Sequence, residues 1–364
     1  MNFTDPCVSK YIQINKIFPF TPCQLHKRGT LMEIRILGRW NSLKVSAVGM
    51  GCMGFSHGYG ALPTEAESIR LMRKAYDMGC TFYDTAEGYG PFVNEILVGK
   101  AIKPFRDKIV LSTKFTPICV GDQKWKEDKL SKQGVRRALL ESLKRLDTDY
   151  VDLYYEHRVP LNSQPEEVAL WMGDFIREGL IRAWGQSQPT EEQVRRAHAV
   201  TPLTAIQSEY SMMERMFEKD VIPTCEELGI GFVAFSPMAG GFLSGKYNTG
   251  TEYKGDDVRR VITRFKKENV AANQPLLDLL ITFAQKKNAT PAQISLAWML
   301  HKKPFIVPIP GMRRDERLAE NFGAAEVKLT EVEFQALEEE LKKIVIHGNR
   351  TDKDIEKLGT VKAQ

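Results

Sequence analysis

The sequence predicts an α/β fold, a (β/α)8 TIM barrel with an N-terminal β-hairpin. Three observations predict it. Eight short β-branched runs alternate with helical patterns from Val45 onward. Most runs are apolar at consecutive positions, as strands covered on both faces are. Polar residues collect at the C-terminal ends of these runs, where this architecture gathers its chemistry. A chain of 364 residues suits one such barrel, which routinely occupies that much sequence as a single domain.

Each element has its own local signal. EIRIL (33–37) and LKVS (43–46) alternate as a hairpin that could plug the barrel floor. The eight runs are VSAVG (45–49), TFYDTA (81–86), KIVLSTK (108–114), VDLYYEH (151–157), IRAWGQS (181–187), TAIQSEY (204–210), GFVAFSP (231–237) and PFIVPIP (304–310). The first helix is expected at Thr64, where T-E-A-E makes a capping box and Ile69, Met72 and Tyr76 form an apolar stripe ending before Gly79. In VRRALLESLKRLD, Val135, Leu139, Leu143 and Leu146 share one face, and in TEEQVRRAHA Thr190 caps with Gln193. A last helix is capped by Thr330 with Glu333 and expected to end near Ile346. The stretch from Met238 to Arg264 breaks the rhythm, and loops this long in compact domains are usually functional. Its glycines suggest a mobile lid over 239–265. Residues 1–31 lack periodicity and are expected to be an extension, disordered or non-native, outside a domain spanning 32–348, with a polar tail over 349–364.

Residues 49–54, GMGCMG, match the Gly-x-Gly-x-x-Gly fingerprint of a dinucleotide-binding turn. That fingerprint needs its third glycine to open a helix facing a pyrophosphate. Gly54 instead runs into FSHGYGALP, a loop. A Rossmann fold is therefore not expected.

Composition narrows the function. Hydrophobic content of 43% and charged content of 27% are those of a globular protein, and no apolar run is long enough to span a bilayer. A cytoplasmic location is expected. The net charge of +5 is spread without a basic stripe, which argues against nucleic acid as a partner. Cys7, Cys23, Cys52, Cys80, Cys119 and Cys225 stand singly, with no histidine at ligand spacing, so neither a metal site nor a disulfide framework is expected. A metal-dependent barrel hydrolase would want His-x-His after the first strand, and residues 49–54 have none.

The second strand ends in Asp84 and leads to Tyr89, the third ends in Lys114, and the fourth ends in His157. Each alone has an ordinary structural explanation; four converging on one mouth are harder to dismiss. A tyrosine can donate a proton at neutral pH, and a nearby ammonium stabilises the phenolate left behind. Asp84 would hold Lys114 charged, and His157 would position a carbonyl oxygen. This is general-acid machinery.

The runs F-Y-D-T-A-E-G-Y-G, L-S-T-K and L-Y-Y-E-H-R resemble those of the aldo-keto reductases. The similarity extends from about Met32 to the 320s through R-R-A-H, Q-S-E-Y, A-F-S-P and P-I-P-G. The resemblance implies a barrel that binds NADPH without a Rossmann fold and reduces an aldehyde or ketone, a small-molecule carbonyl substrate. By it, Tyr89 is the proton donor, Lys114 and Asp84 its tuning pair, and His157 the orienting residue. GMGCMG becomes the first barrel strand, with Cys52 and Met53 bordering the nicotinamide. Ser187 and Gln207 would hold the carboxamide, with Phe235 near the ring. Ser236, Pro237, Met238, Gly240 and Lys246 would close over the pyrophosphate. Gly311, Arg313, Arg317, Glu320 and Asn321 would grip the adenosine end.

Two departures stand out: Met312 and Arg313 replace small hydroxyl residues, and Glu156 precedes the histidine where an uncharged residue is frequent. NADPH is expected over NADH because Arg313, Arg314 and Arg317 cluster at a helix start, which favours an anion. The alternative is a regulatory subunit, since channel-associated members of this family use the same barrel as a cofactor sensor. The substrate pocket would come from WKEDK near Trp125 and from 239–265, neither of which specifies a substrate. No motif sets an oligomeric state.

Overall fold

The structure, a computed structural model, describes residues 32–90, 92–117, 131–160 and 163–349. The expectations for residues 1–31, for the tail past 349, for the loop around Trp125 and for Cys7, Cys23 and Cys119 lie outside the described residues. Ile34–Leu37 (β1) pairs antiparallel with Leu43–Ser46 (β2), which is the expected hairpin. Eight parallel strands follow: Met50–Gly51 (β3), Phe82–Asp84 (β4), Val110–Phe115 (β5), Val151–Glu156 (β6), Ile181–Ser187 (β7), Ala205–Glu209 (β8), Gly231–Phe235 (β9) and Ile306–Pro308 (β10). Each pairs with the next. A parallel bridge between Gly51 and Gly311 and the bond from Gly49 N to Pro308 O (2.9 Å) bring the last strand back to the first. The fold is the expected (β/α)8 barrel.

One strand differs from expectation. Val45 and Ser46 belong to the hairpin, and the first barrel strand is Met50–Gly51 rather than 45–49. The reason lies in the partners: Ser46 N donates to Thr81 Oγ1 (2.8 Å) and Ala47 N to Glu33 O (2.7 Å), which ties this stretch to the barrel floor. GMGCMG then supplies only a two-residue strand and a 3-10 turn at Met53–Phe55, and the first α-helix waits until Glu65. No helix N-terminus follows the glycines, so the Rossmann geometry is absent there.

The strand period of two sorts the barrel interior into tiers. At the bottom, Leu37, Leu43 and Val45 of the hairpin pack with Phe82, Val110, Leu153 and Val233 in one buried cluster. Tyr155 fills the middle, and Gly185 makes room for it, since a Cβ there would lie 2.6 Å from its ring. Further along the same inward faces come Asp84, Lys114, His157, Ser187, Gln207 and Phe235. Apolar side chains thus seal the floor and polar ones line the mouth.

Helices cover the outside. Among them are Glu65–Asp77 (α1), Val93–Ile102 (α2), Lys132–Leu146 (α3), Pro165–Arg177 (α4), Glu191–Val200 (α5), Val221–Leu228 (α6) and, near the C-terminus, Glu331–Lys342. On α3, Val135, Leu139, Leu143 and Leu146 are all buried, as expected, and Ser131 caps its first turn. Thr190 with Gln193 and Thr330 with Glu333 form reciprocal capping boxes. The Thr64 box is only half made: Thr64 accepts from Glu67 N, while the Glu67 carboxylate turns outward to Arg70 (2.7 Å). The buried stripe of α1 is Ser68, Leu71, Met72 and Ala75, with Ile69 and Tyr76 only partly covered. The last helix stops at Lys342, before Ile346. Among the described residues no helix is long and apolar enough to cross a membrane.

The stretch expected as a lid folds into short 3-10 turns at 239–244, 258–260 and 263–265. It is pinned at two places. Arg259 is gripped by Asp257 (Nε–Oδ1 2.8 Å) and lies over the rings of Tyr247 (4.4 Å), Tyr253 (5.0 Å) and Tyr59 (5.4 Å), which joins it to the loop after β3. Buried Arg264 pairs with Glu209 (3.1 Å) at the end of β8 and with Glu214 (2.7 Å).

Candidate active site

Asp84, Lys114 and Tyr89 form one connected chain at the barrel mouth. Lys114 Nζ lies 2.5 Å from Asp84 Oδ1, donates to Thr85 O (2.8 Å) and donates to Tyr89 Oη (3.1 Å). These bonds use all three ammonium donors. The second Asp84 oxygen accepts from Ser112 Oγ (2.8 Å) and Gln207 Nε2 (2.7 Å). Asp84 and Lys114 are buried, whereas Tyr89 and His157 are half-buried and face the opening. Burial alone would pull the Lys114 ammonium down; Asp84 and Tyr89 outweigh it and hold the lysine above its ordinary value. The ring of His157 meets that of Tyr89 edge-on at 5.9 Å, and its Nδ1 is 3.5 Å from Thr116 Oγ1. The four residues named from the sequence therefore share one mouth, with a charged lysine against a phenol. Such a set can deliver a proton to an oxygen bound between Tyr89 and His157.

A profile of the aldo/keto reductase family matches residues 47–342. The chain belongs to the aldo/keto reductase family. It is 38% identical over 295 residues to the probable aldo-keto reductase 1 of Glycine max, covering 81% of this chain and 85% of that protein. The structure is similar to that of a thermostable aldo-keto reductase in complex with the inhibitor epalrestat (TM-score 0.68, 31% identity, 85% of this chain and 100% of that one). It is also similar to the glycerol dehydrogenase of Gluconobacter oxydans (TM-score 0.75, 27% identity, 86% and 96%). The family is one of oxidoreductases that use NAD(P)H and act on small molecules.

The remaining aldo/keto reductase positions distribute as follows. Ser187 and Gln207 are neighbours across β7 and β8, and Phe235 stands partly exposed at the end of β9. Gln207 is held by Asp84, which links the proposed carboxamide site to the acid chain. Ser236 sits at φ +50°, and Gly240 at φ +68° lies in the turn that follows Pro237 and Met238. Met53 is half-buried, but the Cys52 thiol is fully buried against Met50 O and points into the layer between barrel and helices. Partial burial and then Arg317, joined by Arg314, hold Lys246 below the usual lysine range, with Glu320 and Glu316 pulling the other way. Gly311 lies at the bridge to Gly51, Asn321 is buried in Asp315–Gly323, and Glu320 pairs with Arg317. Arg313 has partners that the sequence does not suggest. Its guanidinium donates to Tyr59 O and Ala61 O (both 2.9 Å), so it clasps the loop after β3.

Sequence reasoning missed Gln188. It follows Ser187 at φ +52°, is buried, and its Oε1 has no hydrogen-bond partner among the described residues. A buried acceptor without a donor is costly, and this one directly follows Ser187 at the end of β7. Only the backbone reveals it.

Glu156, the departure noted in the sequence, is buried on the outer face of β6 and accepts from Gln186 Nε2 (3.1 Å). Burial pushes its carboxyl up to about 7, with the Gln186 bond pulling the other way. The folded state thus holds the proton more tightly than the unfolded chain. The resulting stability is fully present below the unfolded glutamate value and is lost as pH rises through about 7. Glu156→Gln should therefore flatten the decline in urea midpoint between about pH 5 and pH 8, and exceed the wild type at the higher pH by up to roughly 3 kcal/mol. Equal pH dependence in both proteins would remove Glu156 as its source.

Proposed function

We propose that this aldo/keto reductase reduces an aldehyde or ketone to an alcohol with NADPH, with Tyr89 as general acid. The observation that carries the reading is the contact chain Asp84–Lys114–Tyr89 beside His157. When bound, the reduced nicotinamide would supply a hydride to the carbonyl carbon. Tyr89 gives its phenolic proton to the carbonyl oxygen as charge develops there, and the Lys114 ammonium stabilises the phenolate that remains. Asp84 keeps that ammonium charged and aimed. His157 holds the carbonyl oxygen within reach of Tyr89. Ser187, Gln188 and Gln207 would hold the carboxamide, with Phe235 beneath the ring, Ser236, Pro237, Met238 and Gly240 on the pyrophosphate, and Gly311, Glu320 and Asn321 at the adenosine.

The preference for NADPH over NADH is assigned to Lys246, Arg314 and Arg317, since both arginines lie near enough to Lys246 to lower it and a 2′-phosphate would bring a negative charge to that cluster. Arg313 supports this site by fixing the neighbouring loop. Replacing Lys246 and Arg317 together with alanine should weaken NADPH binding by about 1–3 kcal/mol, the value of two charge-assisted contacts reduced for solvent exposure. NADH affinity should change far less. Fluorescence titration with both nucleotides gives the test, and equal losses for the two, or a wild-type preference for NADH, would reject this phosphate site.

A further inference from the structure

Along a strand, neighbouring side chains point to opposite faces, so the residue after an inward His157 should turn away from the barrel. Arg158 does not. Its φ of +69° is a left-handed conformation that non-glycine residues adopt only at a cost. Its guanidinium lies over the Phe235 ring at 4.6 Å and donates to Ser187 Oγ (3.2 Å). The strained backbone thus delivers a cation into the mouth, beside the Tyr89–His157 pair.

These contacts have a consequence that rests on the function proposed above. Ser187 and Phe235 are the groups assigned to the nicotinamide. A guanidinium over that ring and bonded to that hydroxyl competes for them with a second planar amide-bearing group. We propose that Arg158 is a specificity-determining residue: it yields Ser187 and Phe235 to the cofactor and then pairs with a carboxylate on the carbonyl substrate. The tether to His157 keeps the guanidinium within the mouth after it leaves Ser187. Its planar fork matches a carboxylate through two parallel bonds, which lysine cannot reproduce. The substrate class is a carbonyl compound that carries a carboxylate.

The test compares wild type with Arg158→Met and Arg158→Lys in two measurements. In fluorescence titration, Arg158→Met should bind NADPH at least as tightly as wild type, because a competitor for the subsite is gone. In steady-state assays with ortho, meta and para carboxybenzaldehydes and the matching nitrobenzaldehydes, the carboxylate-to-nitro ratio of kcat/KM should fall about tenfold to a hundredfold in Arg158→Met for at least one isomer, mainly through KM. Arg158→Lys should restore part of it. An unchanged ratio for all three isomers, or tenfold weaker NADPH binding in Arg158→Met, overturns the proposal while the reductase reading stands. A wild type that binds NADPH yet reduces none of the six aldehydes overturns the reductase reading and this proposal with it.

Discussion

Replacing Tyr89 with phenylalanine is expected to cut carbonyl reduction by about 10²–10⁴ and to leave nucleotide affinity unchanged. The hydroxyl is the only group removed. The ring keeps its edge-on contact with His157, and Lys114 keeps Asp84 and Thr85 O as partners. A loss of this size corresponds to about 3–5 kcal/mol of transition-state stabilisation, beyond what packing changes at a half-buried ring would produce. It should appear in kcat, because the proton is transferred in the transition state rather than on binding. A Tyr89→Phe protein with kcat near wild type would take the proton donor out of Tyr89.

Lys114→Met is expected to lose both activity and stability. The substitution leaves Asp84 as a buried carboxylate with Ser112 and Gln207 as its remaining partners. Breaking one side of a buried ion pair typically costs about 3–5 kcal/mol, because the other charge stays desolvated. The double variant Asp84→Asn with Lys114→Met should recover part of that loss, since no lone charge is buried. Urea denaturation of the two single variants and the double variant closes the cycle. A Lys114→Met protein within about 0.5 kcal/mol of wild type would mean that the pair contributes little to the fold.

The barrel was legible in the sequence because its strands are buried on both faces and read as apolar runs. The acid chain was legible because Asp84 and Lys114 stand at the ends of those runs and Tyr89 follows in the loop after Asp84. The first strand was legible only through the family resemblance, which put it in GMGCMG: Met50–Gly51 is too short to carry a pattern of its own, and Val45 looks like a barrel strand because it packs into the barrel floor from the hairpin. Arg158 and Gln188 were missed for another reason. Strand alternation turns both outward; each departs from the strand with a positive φ, and the contacts of Arg158 with Ser187 and Phe235 place its guanidinium in the mouth. For Arg313 the sequence shows a cation near a helix start but not the carbonyls of Tyr59 and Ala61, far away in sequence, that accept from its guanidinium. Long-range backbone partners leave no trace in local pattern.

Mixing NADPH-loaded protein with 4-nitrobenzaldehyde, while following nicotinamide absorbance and quantifying alcohol, tests the central claim most directly. The expected result is one alcohol formed per NADPH consumed, sustained over many turnovers. NADPH that binds but stays reduced through the same mixing, with no alcohol formed, would contradict the reductase reading and favour a cofactor sensor.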